Sequence, residues 1–77
     1  MDEEKQLNLK QMLCDLGENY LIKYKDGEWN YFFVKKASKE GLLGYHIKPG
    51  LEEELMKFED LFEKENISFS IFVKPEQ

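Results

Sequence analysis

Two strand-like segments joined by Asp26-Gly27 constrain this 77-residue chain more than any other feature. The stretch NYLIKYKDGEWNYFFVKK alternates large apolar side chains with polar ones on both sides of that dipeptide. Asp-Gly is a strong signal for a two-residue type I′ turn, because both turn positions need a positive φ. The sequence therefore predicts an antiparallel hairpin centred on Asp26-Gly27.

A two-residue turn would also fix the register of this hairpin. It would pair Lys25 with Glu28, and it would place six large side chains on one face, which we expect to be the core face: Tyr20, Ile22, Tyr24, Trp29, Tyr31 and Phe33. Leu21, Phe32 and Val34 would then form an apolar patch on the opposite face. Such a patch needs a cover or a partner, and a two-fold homodimer is one way to bury it.

A helix is predicted before the hairpin. Its apolar stripe has helical spacing and consists of Leu9, Met12, Leu13 and Leu16. Gly17 would end the helix. Asn8 is a candidate N-cap with residues 1–6 frayed, although the helix could instead begin at Asp2.

The second half of the chain predicts a strand, a helix and a strand. LLGYHIK reads as the third strand, with Leu43, Tyr45 and Ile47 on one side. The acidic segment 51–66, LEEELMKFEDLFEKEN, has apolar residues at helical spacing, namely Leu51, Leu55, Phe58 and Phe62. ISFSIFVK alternates as a strand with one buried face, formed by Ile67, Phe69, Ile71 and Val73.

These elements predict a single α+β domain with the order α-β-β-β-α-β. The sheet would be mixed and four-stranded, since the second helix would connect two parallel strands, and both helices would pack on one face. We favour the last strand lying beside the first, with the other edge as the alternative. Asn66 is a plausible left-handed stop for the second helix.

Composition excludes several classes of protein. One cysteine, Cys14, cannot form an intramolecular disulfide or a multi-cysteine metal site. The sequence contains no basic and apolar leader and no long apolar run, so we expect a cytoplasmic protein that neither crosses nor binds a membrane. All eleven cationic residues are lysine, which is typical of an AT-rich genome and suggests a low-GC bacterium or its phage.

No motif for catalysis, for a metal or for a cofactor is recognised. Cys14 and His46 are the candidates for a nucleophilic pair, but Cys14 lies off the helix stripe and His46 lies opposite Tyr45 and Ile47. EGLLG, residues 40 to 44, precedes a strand rather than opening a helix, so we interpret its glycines as turn residues. The expectation is a protein that is not an enzyme.

Direct nucleic-acid binding is also disfavoured by the sequence. Aromatic residues alternate with lysines in the hairpin, as they do in stacking platforms. A formal net charge of −5 repels phosphate, however, and the predicted register places the aromatic residues in the core.

The acidic segment carries the functional prediction. It holds seven carboxylates and two lysines. On a helix, Glu53 with Lys57 and Asp60 with Lys64 would be i, i+4 ion pairs, whereas a column of Glu52, Glu59 and Glu63 would have no lysine partner. We therefore predict a partner-binding surface formed by Glu52, Glu53, Glu59, Asp60 and Glu63.

The leading hypothesis is a non-enzymatic acidic inhibitor that imitates DNA and occupies the basic, nucleic-acid-binding surface of another protein. Small phage-encoded inhibitors resemble it in size and charge. The alternative hypothesis is a small housekeeping subunit that binds another protein through a strand edge or through the patch of Leu21, Phe32 and Val34.

Overall fold

The computed structural model describes residues 2–47 and 52–71. Two helices and five strands follow one another in the order α-β-β-β-β-α-β. They are α1 (Glu3–Leu16), β1 (Tyr20–Asp26), β2 (Glu28–Ala37), β3 (Gly41–His46), β4 (Glu54–Lys57), α2 (Phe58–Leu61) and β5 (Glu65–Ile71). The strands form one sheet in the order β4-β3-β2-β1-β5, and every pairing between neighbours is antiparallel. The predicted α+β class is confirmed, but the sheet is neither mixed nor four-stranded.

Helix α1 begins at the earlier of its two predicted starts. Asp2 is the N-cap, and its carboxylate accepts a hydrogen bond of 2.8 Å from a backbone N–H in the first turn. Asn8 is therefore not the cap, and residues 3–6, which we expected to be frayed, belong to α1. Gly17 ends the helix as predicted, with a φ of 77° that glycine adopts at little cost.

The hairpin forms where it was predicted, but its register differs from the prediction by one residue. Lys25 pairs with Trp29 rather than with Glu28. A type I′ turn needs a positive φ at both turn residues, and of the Asp26-Gly27 pair only Gly27 has one, at 79°. Because side chains alternate along a strand, this shift reverses the two faces of β2.

The residues of β2 that we predicted on the face opposite the core are therefore the ones buried in the core. Phe32 and Val34 are fully buried, so they cannot form the predicted patch with Leu21, and neither the dimer nor the partner surface built on that patch is possible. Trp29 and Tyr31, which we expected in the core, are exposed.

One hydrophobic cluster joins the sheet to both helices. Its buried members are Leu13, Tyr20, Ile22, Tyr24, Phe32, Val34, Leu42, Met56, Phe58 and Leu61. The Tyr20 hydroxyl donates a 3.0 Å hydrogen bond to the Leu13 carbonyl, which fastens β1 to α1. Phe58 and Leu61 are the contribution of α2. Because Leu13 of α1 and Phe58 and Leu61 of α2 enter this one cluster, both observed helices pack against the same face of the sheet.

The predicted helix over residues 51–66 is wrong. Residues 54–57 form β4 beside β3, with Leu43 opposite Leu55, and only the four residues of α2 are helical. The close approach of β4 depends on Gly41, because a Cβ there would overlap the carbonyl oxygen of Met56. Gly41 is thus a strand residue at a close contact, not a turn residue.

Strand β5 lies beside β1, as we favoured, and the two are antiparallel. Ile67 and Phe69 are partly buried against the core, whereas Val73 lies outside the described residues. Asn66 has the positive φ expected of it, 52°, but it lies within β5 and does not end a helix.

Candidate binding face

One face of the sheet packs against α1 and α2, and no described helix covers the other. We call this second surface the open face. Strand alternation and pairing assign to it Leu21, Lys23, Lys25, Trp29, Tyr31, Phe33, Lys36, Leu43, Tyr45 and Leu55, together with Glu65, Ser68 and Ser70 of β5. The solvated face of an antiparallel sheet is commonly polar. Here most of its residues are aromatic or aliphatic.

The open face concentrates the exposed apolar surface of the protein. Seven large hydrophobic side chains are exposed in residues 2–47 and 52–71. Five of them lie on the open face or beside it at the end of β3: Trp29 at 45%, Tyr31 at 41%, Leu43 at 37%, Leu55 at 40% and Ile47 at 53%. The other two, Leu7 and Met12, belong to α1. A continuous exposed patch of this kind is typical of a binding surface.

Lysines from β1 lie against the aromatic rings of β2. Lys23 Nζ is 4.1 Å from the centre of the Trp29 ring and 6.0 Å from that of Tyr31. Lys25 Nζ is 6.0 Å from the Trp29 ring. Each such contact at an exposed ring contributes about 0.5–1 kcal/mol. The hairpin end of the open face therefore combines accessible rings with positive charge.

A second aromatic pair continues the row toward the middle of the sheet. Phe33 lies directly opposite Tyr45 on β3, and the ring centres are 5.5 Å apart at an angle of 37°. Trp29, Tyr31 and Phe33 occupy alternate positions of one strand. Their spacing places an aromatic row along β2.

Charge is unevenly distributed over the molecule. Lys23 and Lys25 make no ion pair within the described ranges, although Glu65 lies beside Lys25 in the pairing of β1 with β5. Lys35, at the edge of this face, is 3.6 Å from Glu53. The following carboxylates are exposed on the helical elements or in the turn after α2: Glu3, Glu4, Asp15, Glu59, Asp60 and Glu63.

The five predicted partner-binding carboxylates do not form one helix surface. Glu52 and Glu53 precede β4, Glu59 and Asp60 lie in α2, and Glu63 lies in the turn that follows. All five are exposed, but the predicted column is wrong because residues 52–57 are not helical.

The predicted ion pairs within the acidic segment are also replaced. Glu53 contacts Lys35 instead of Lys57. Lys64 Nζ lies 3.0 Å from Asp26 Oδ2 in the hairpin rather than beside Asp60. The hydrogen bond to Asp26 is the main cause that raises the pKa of Lys64. Glu53 and Lys64 are thus each paired with a residue outside the acidic segment and not with a neighbour along a helix.

His46 belongs to a partly buried polar cluster on the opposite side of the sheet. As predicted, it lies on the face opposite Tyr45. Its Nε2 is 2.5 Å from the Tyr24 hydroxyl, and its Nδ1 is 3.0 Å from a Glu54 carboxylate oxygen. The Nδ1 atom makes no hydrogen bond, so its contact with Glu54 is electrostatic. The cluster connects β1, β3 and β4.

The two candidates for a nucleophilic pair, Cys14 and His46, have different neighbours in the described structure. Burial raises the pKa of the Tyr24 hydroxyl, partly opposed by nearby Lys64, and Tyr24 is only 4% exposed. Cys14 Sγ lies 3.7 Å from the carbonyl oxygen of Ser38. No contact joins Cys14 to His46 among the described side chains, so the structure does not bring the two candidate residues together.

A groove of about 620 Å³ lies on the helical side. It is lined by Gln6, Lys10, Lys39, Glu40, Lys57, Phe58, Glu59 and Phe62. Lys10 Nζ lies 5.4 Å from the Phe58 ring centre and so occupies part of this surface. Its three lysines are accompanied by two carboxylates, Glu40 and Glu59, and the groove lacks the exposed aromatic row of the open face.

Sequence reasoning missed Trp29 and Tyr31 as surface residues, although a signal was present. Both sets of alternate positions in β2 are apolar, whereas a strand that is buried on one face needs only one such set. The surplus of large side chains indicates a second apolar surface whichever register forms.

The last observations concern membrane-spanning helices, metal sites and similarity to known proteins. No described helix is long and apolar enough to cross a membrane. No group of three or more His, Cys, Asp or Glu side chains within residues 2–47 and 52–71 is arranged to hold a metal ion. Comparison with known protein families, with characterised proteins and with solved structures found no match to this chain.

Proposed function

We propose that this protein is a non-enzymatic binding protein that receives a macromolecular partner on the open face of its sheet. The observation that carries the proposal is the location of exposed apolar side chains, five of seven of which lie on this face or at its border. Exposed apolar surface is costly for a small domain that could use it in its core, so its retention favours a role in binding.

The chemistry of the remaining groups also favours binding over catalysis. The hydroxyl of Tyr24 is buried and hydrogen-bonded to His46. A buried, protonated phenol that links three strands stabilises the fold but is not accessible to a substrate. The exposed side chains of the open face, by contrast, are rings, aliphatic chains and ammonium groups.

The proposal is tested by capture from a lysate of a low-GC bacterium with two matched variants. Tyr31→Ser with Leu43→Ser alters the open face, and Leu7→Ser with Met12→Ser removes comparably exposed apolar groups from α1. Circular dichroism confirms that each variant folds. We expect the wild type and the α1 variant to retain the same macromolecule and the open-face variant to lose it. Equal capture by all three proteins would refute the proposal.

A second candidate is the acidic inhibitor that occupies a basic surface of another protein. It is favoured by one observation: Glu59, Asp60 and Glu63 are exposed within five residues of chain and make no ion pair within the described structure. Asp26 and Glu53, by contrast, are each paired with a lysine.

The acidic candidate predicts a strong dependence on salt. Glu59→Gln, Asp60→Asn and Glu63→Gln together should leave the fold intact, because all three side chains are exposed. Capture of a basic protein should then fall sharply, and adding salt should weaken the wild-type interaction as ions screen it. Unchanged capture and unchanged salt dependence in the triple variant would exclude this surface.

A further inference from the structure

We infer that the hairpin end of the open face binds single-stranded nucleic acid, with the aromatic row of β2 stacking on bases and Lys23 and Lys25 contacting phosphates. This inference rests on the proposed function and specifies the chemistry of its partner. It also reverses the expectation from the sequence. One of the two reasons against nucleic acid was that the aromatic residues would lie in the core, and Trp29 and Tyr31 do not.

The aromatic row has dimensions suited to an unpaired strand. Alternate residues of a strand are roughly 6.8 Å apart, so Trp29, Tyr31 and Phe33 span about 14 Å. A stacked strand rises about 3.4 Å per nucleotide, so the row corresponds to about four nucleotides. This is the lower end of the site sizes of single-strand-binding folds. Trp29 and Tyr31 are the accessible rings of this row.

The position of the lysines distinguishes nucleic acid from a protein partner. Aromatic residues are enriched in both kinds of interface, but lysine is depleted in interfaces between proteins. Here Lys23 Nζ lies between two exposed rings, 4.1 Å from one and 6.0 Å from the other. Lys23 covers part of the Trp29 ring, so a base would stack on the area that remains exposed, and its phosphate would then lie near the Lys23 ammonium. Rings interleaved with cations are what a stacking platform requires.

The net charge of −5 does not prevent local contact with phosphate. Most exposed carboxylates of α1 and α2 lie on the helical side, and the molecule measures 20 Å along its shortest axis. At physiological ionic strength the screening length is about 8 Å. Carboxylates across the sheet are therefore largely screened, whereas Lys23 and Lys25 act at contact distance. Glu65 is paired with Lys25 on the same face and offsets part of its charge, so Lys23 is the stronger phosphate contact. The expected consequence is weak long-range steering, not absence of binding.

The single tryptophan of the chain makes the inference directly measurable. We would titrate the protein with an oligothymidylate of about 12 nucleotides and follow Trp29 fluorescence, which base stacking should quench. Labelled oligonucleotide anisotropy extends the measurement to variants without tryptophan. The expected dissociation constant is roughly 10⁻⁴ to 10⁻⁶ M at physiological salt, the range of non-specific binding. A duplex of the same length should bind more weakly because its bases are already stacked.

Variants separate the stacking contribution from the charge contribution. Trp29→Ala should weaken binding roughly 5- to 150-fold, and Trp29→Phe should restore most of it. Wild-type affinity should fall with salt with a logarithmic slope of about −1.4, that is −0.7 for each of two phosphates neutralised. Lys23→Gln with Lys25→Gln should bring that slope near zero. Lys5→Gln with Lys39→Gln changes the net charge equally elsewhere and should leave the slope unchanged.

Three results would overturn the inference. One is no quenching and no change in anisotropy with oligonucleotide up to about 1 mM, well above the expected dissociation constant. Another is equal weakening by the two lysine pairs, which would indicate a response to net charge alone. The third is loss of a captured protein by the open-face variant with no oligonucleotide binding by the wild type. That last result would identify a protein partner and leave the proposed function intact. If the oligonucleotide does not bind and the capture experiment also shows no difference between the variants, both the inference and the proposed function are refuted.

Discussion

Replacing two adjacent residues of β2 should lower the stability by very different amounts. Phe32 is completely buried, and its ring centre lies 4.9 Å from that of His46. Phe32→Ala removes this packing and leaves a cavity, which costs about 3–5 kcal/mol. Tyr31 is 41% exposed, and its ring lies 6.0 Å from Lys23 Nζ. Tyr31→Ala should therefore cost about 1 kcal/mol or less.

Thermal unfolding followed by circular dichroism would measure the difference. For a domain of this size each kcal/mol lowers the melting temperature by about 4–8 °C. Phe32→Ala should lower it by about 12–40 °C, and Tyr31→Ala by at most about 8 °C. The whole domain has a free energy of unfolding of roughly 4–12 kcal/mol, so Phe32→Ala can unfold it. Ile22→Val, at about 0.5–1.5 kcal/mol, is a milder core substitution that keeps the comparison measurable.

The two possible hairpin registers predict opposite rankings of the stability losses caused by Tyr31→Ala and Phe32→Ala. If Lys25 paired with Glu28, Tyr31 would be in the core and Phe32 on the surface, so Tyr31→Ala would be the more damaging change. A larger loss of stability in Tyr31→Ala than in Phe32→Ala would refute the face assignment. The open face, which depends on that assignment, would be refuted with it.

Other substitutions and alkaline pH test the contacts between strands. Gly44→Ala should cost about 1–3 kcal/mol, because its Cβ would overlap the Phe33 carbonyl oxygen; an unchanged urea midpoint would contradict this close approach. Tyr24→Phe should cost about 1–3 kcal/mol, measured by urea denaturation, since it leaves the His46 Nε2 without its partner. Burial raises the pKa of Tyr20 and Tyr24, so their contribution to stability is full below about pH 10 and is lost as pH rises toward the higher folded-state pKa. Circular dichroism at increasing pH should show this loss, and Tyr20→Phe should reduce the dependence.

Local signals in the sequence were sufficient for much of the fold. The end of α1 at Gly17, the position of the hairpin and the buried face of β1 all follow from short-range patterns. The predicted α1 stripe is correct for Leu9, Leu13 and Leu16 but wrong for Met12, which is exposed, while Cys14 packs against the core instead. The place of β5 beside β1 was also the favoured arrangement. The local features each had one periodicity or one turn residue with a single reasonable interpretation, whereas the place of β5 was a choice between the two edges of the sheet.

The register of β2 could not be decided in this way. Register is strongly specified when only one face of a strand is apolar. In β2, Phe32 and Val34 compete with Trp29, Tyr31 and Phe33, so either pairing provides a large apolar face. The choice then depends on the backbone of the turn, where Asp26 does not adopt the positive φ that a type I′ turn needs.

The segment 51–66 misled the sequence reasoning for a different reason. Its helical spacing is real, but β3 offers a free edge, and pairing along it outweighs a weak local preference for helix. Met56 then enters the core while Leu55 faces outward opposite Leu43. Gly41 was the available clue, because a glycine in a strand often marks close approach of another backbone.

Both errors concealed the same feature of the molecule. A reversed β2 places Trp29 and Tyr31 in the core, and a helix over 51–66 places Leu55 there as well. The exposed apolar surface expected from the sequence was therefore only the small patch of Leu21, Phe32 and Val34. With the faces correctly assigned, the exposed carboxylates of α1 and α2 lie on the helical side, and the exposed rings lie with Lys23 across the sheet. Net charge alone therefore cannot identify the partner of this protein. The partner is determined by the side chains that share one face, and on the open face those are aromatic rings and ammonium groups.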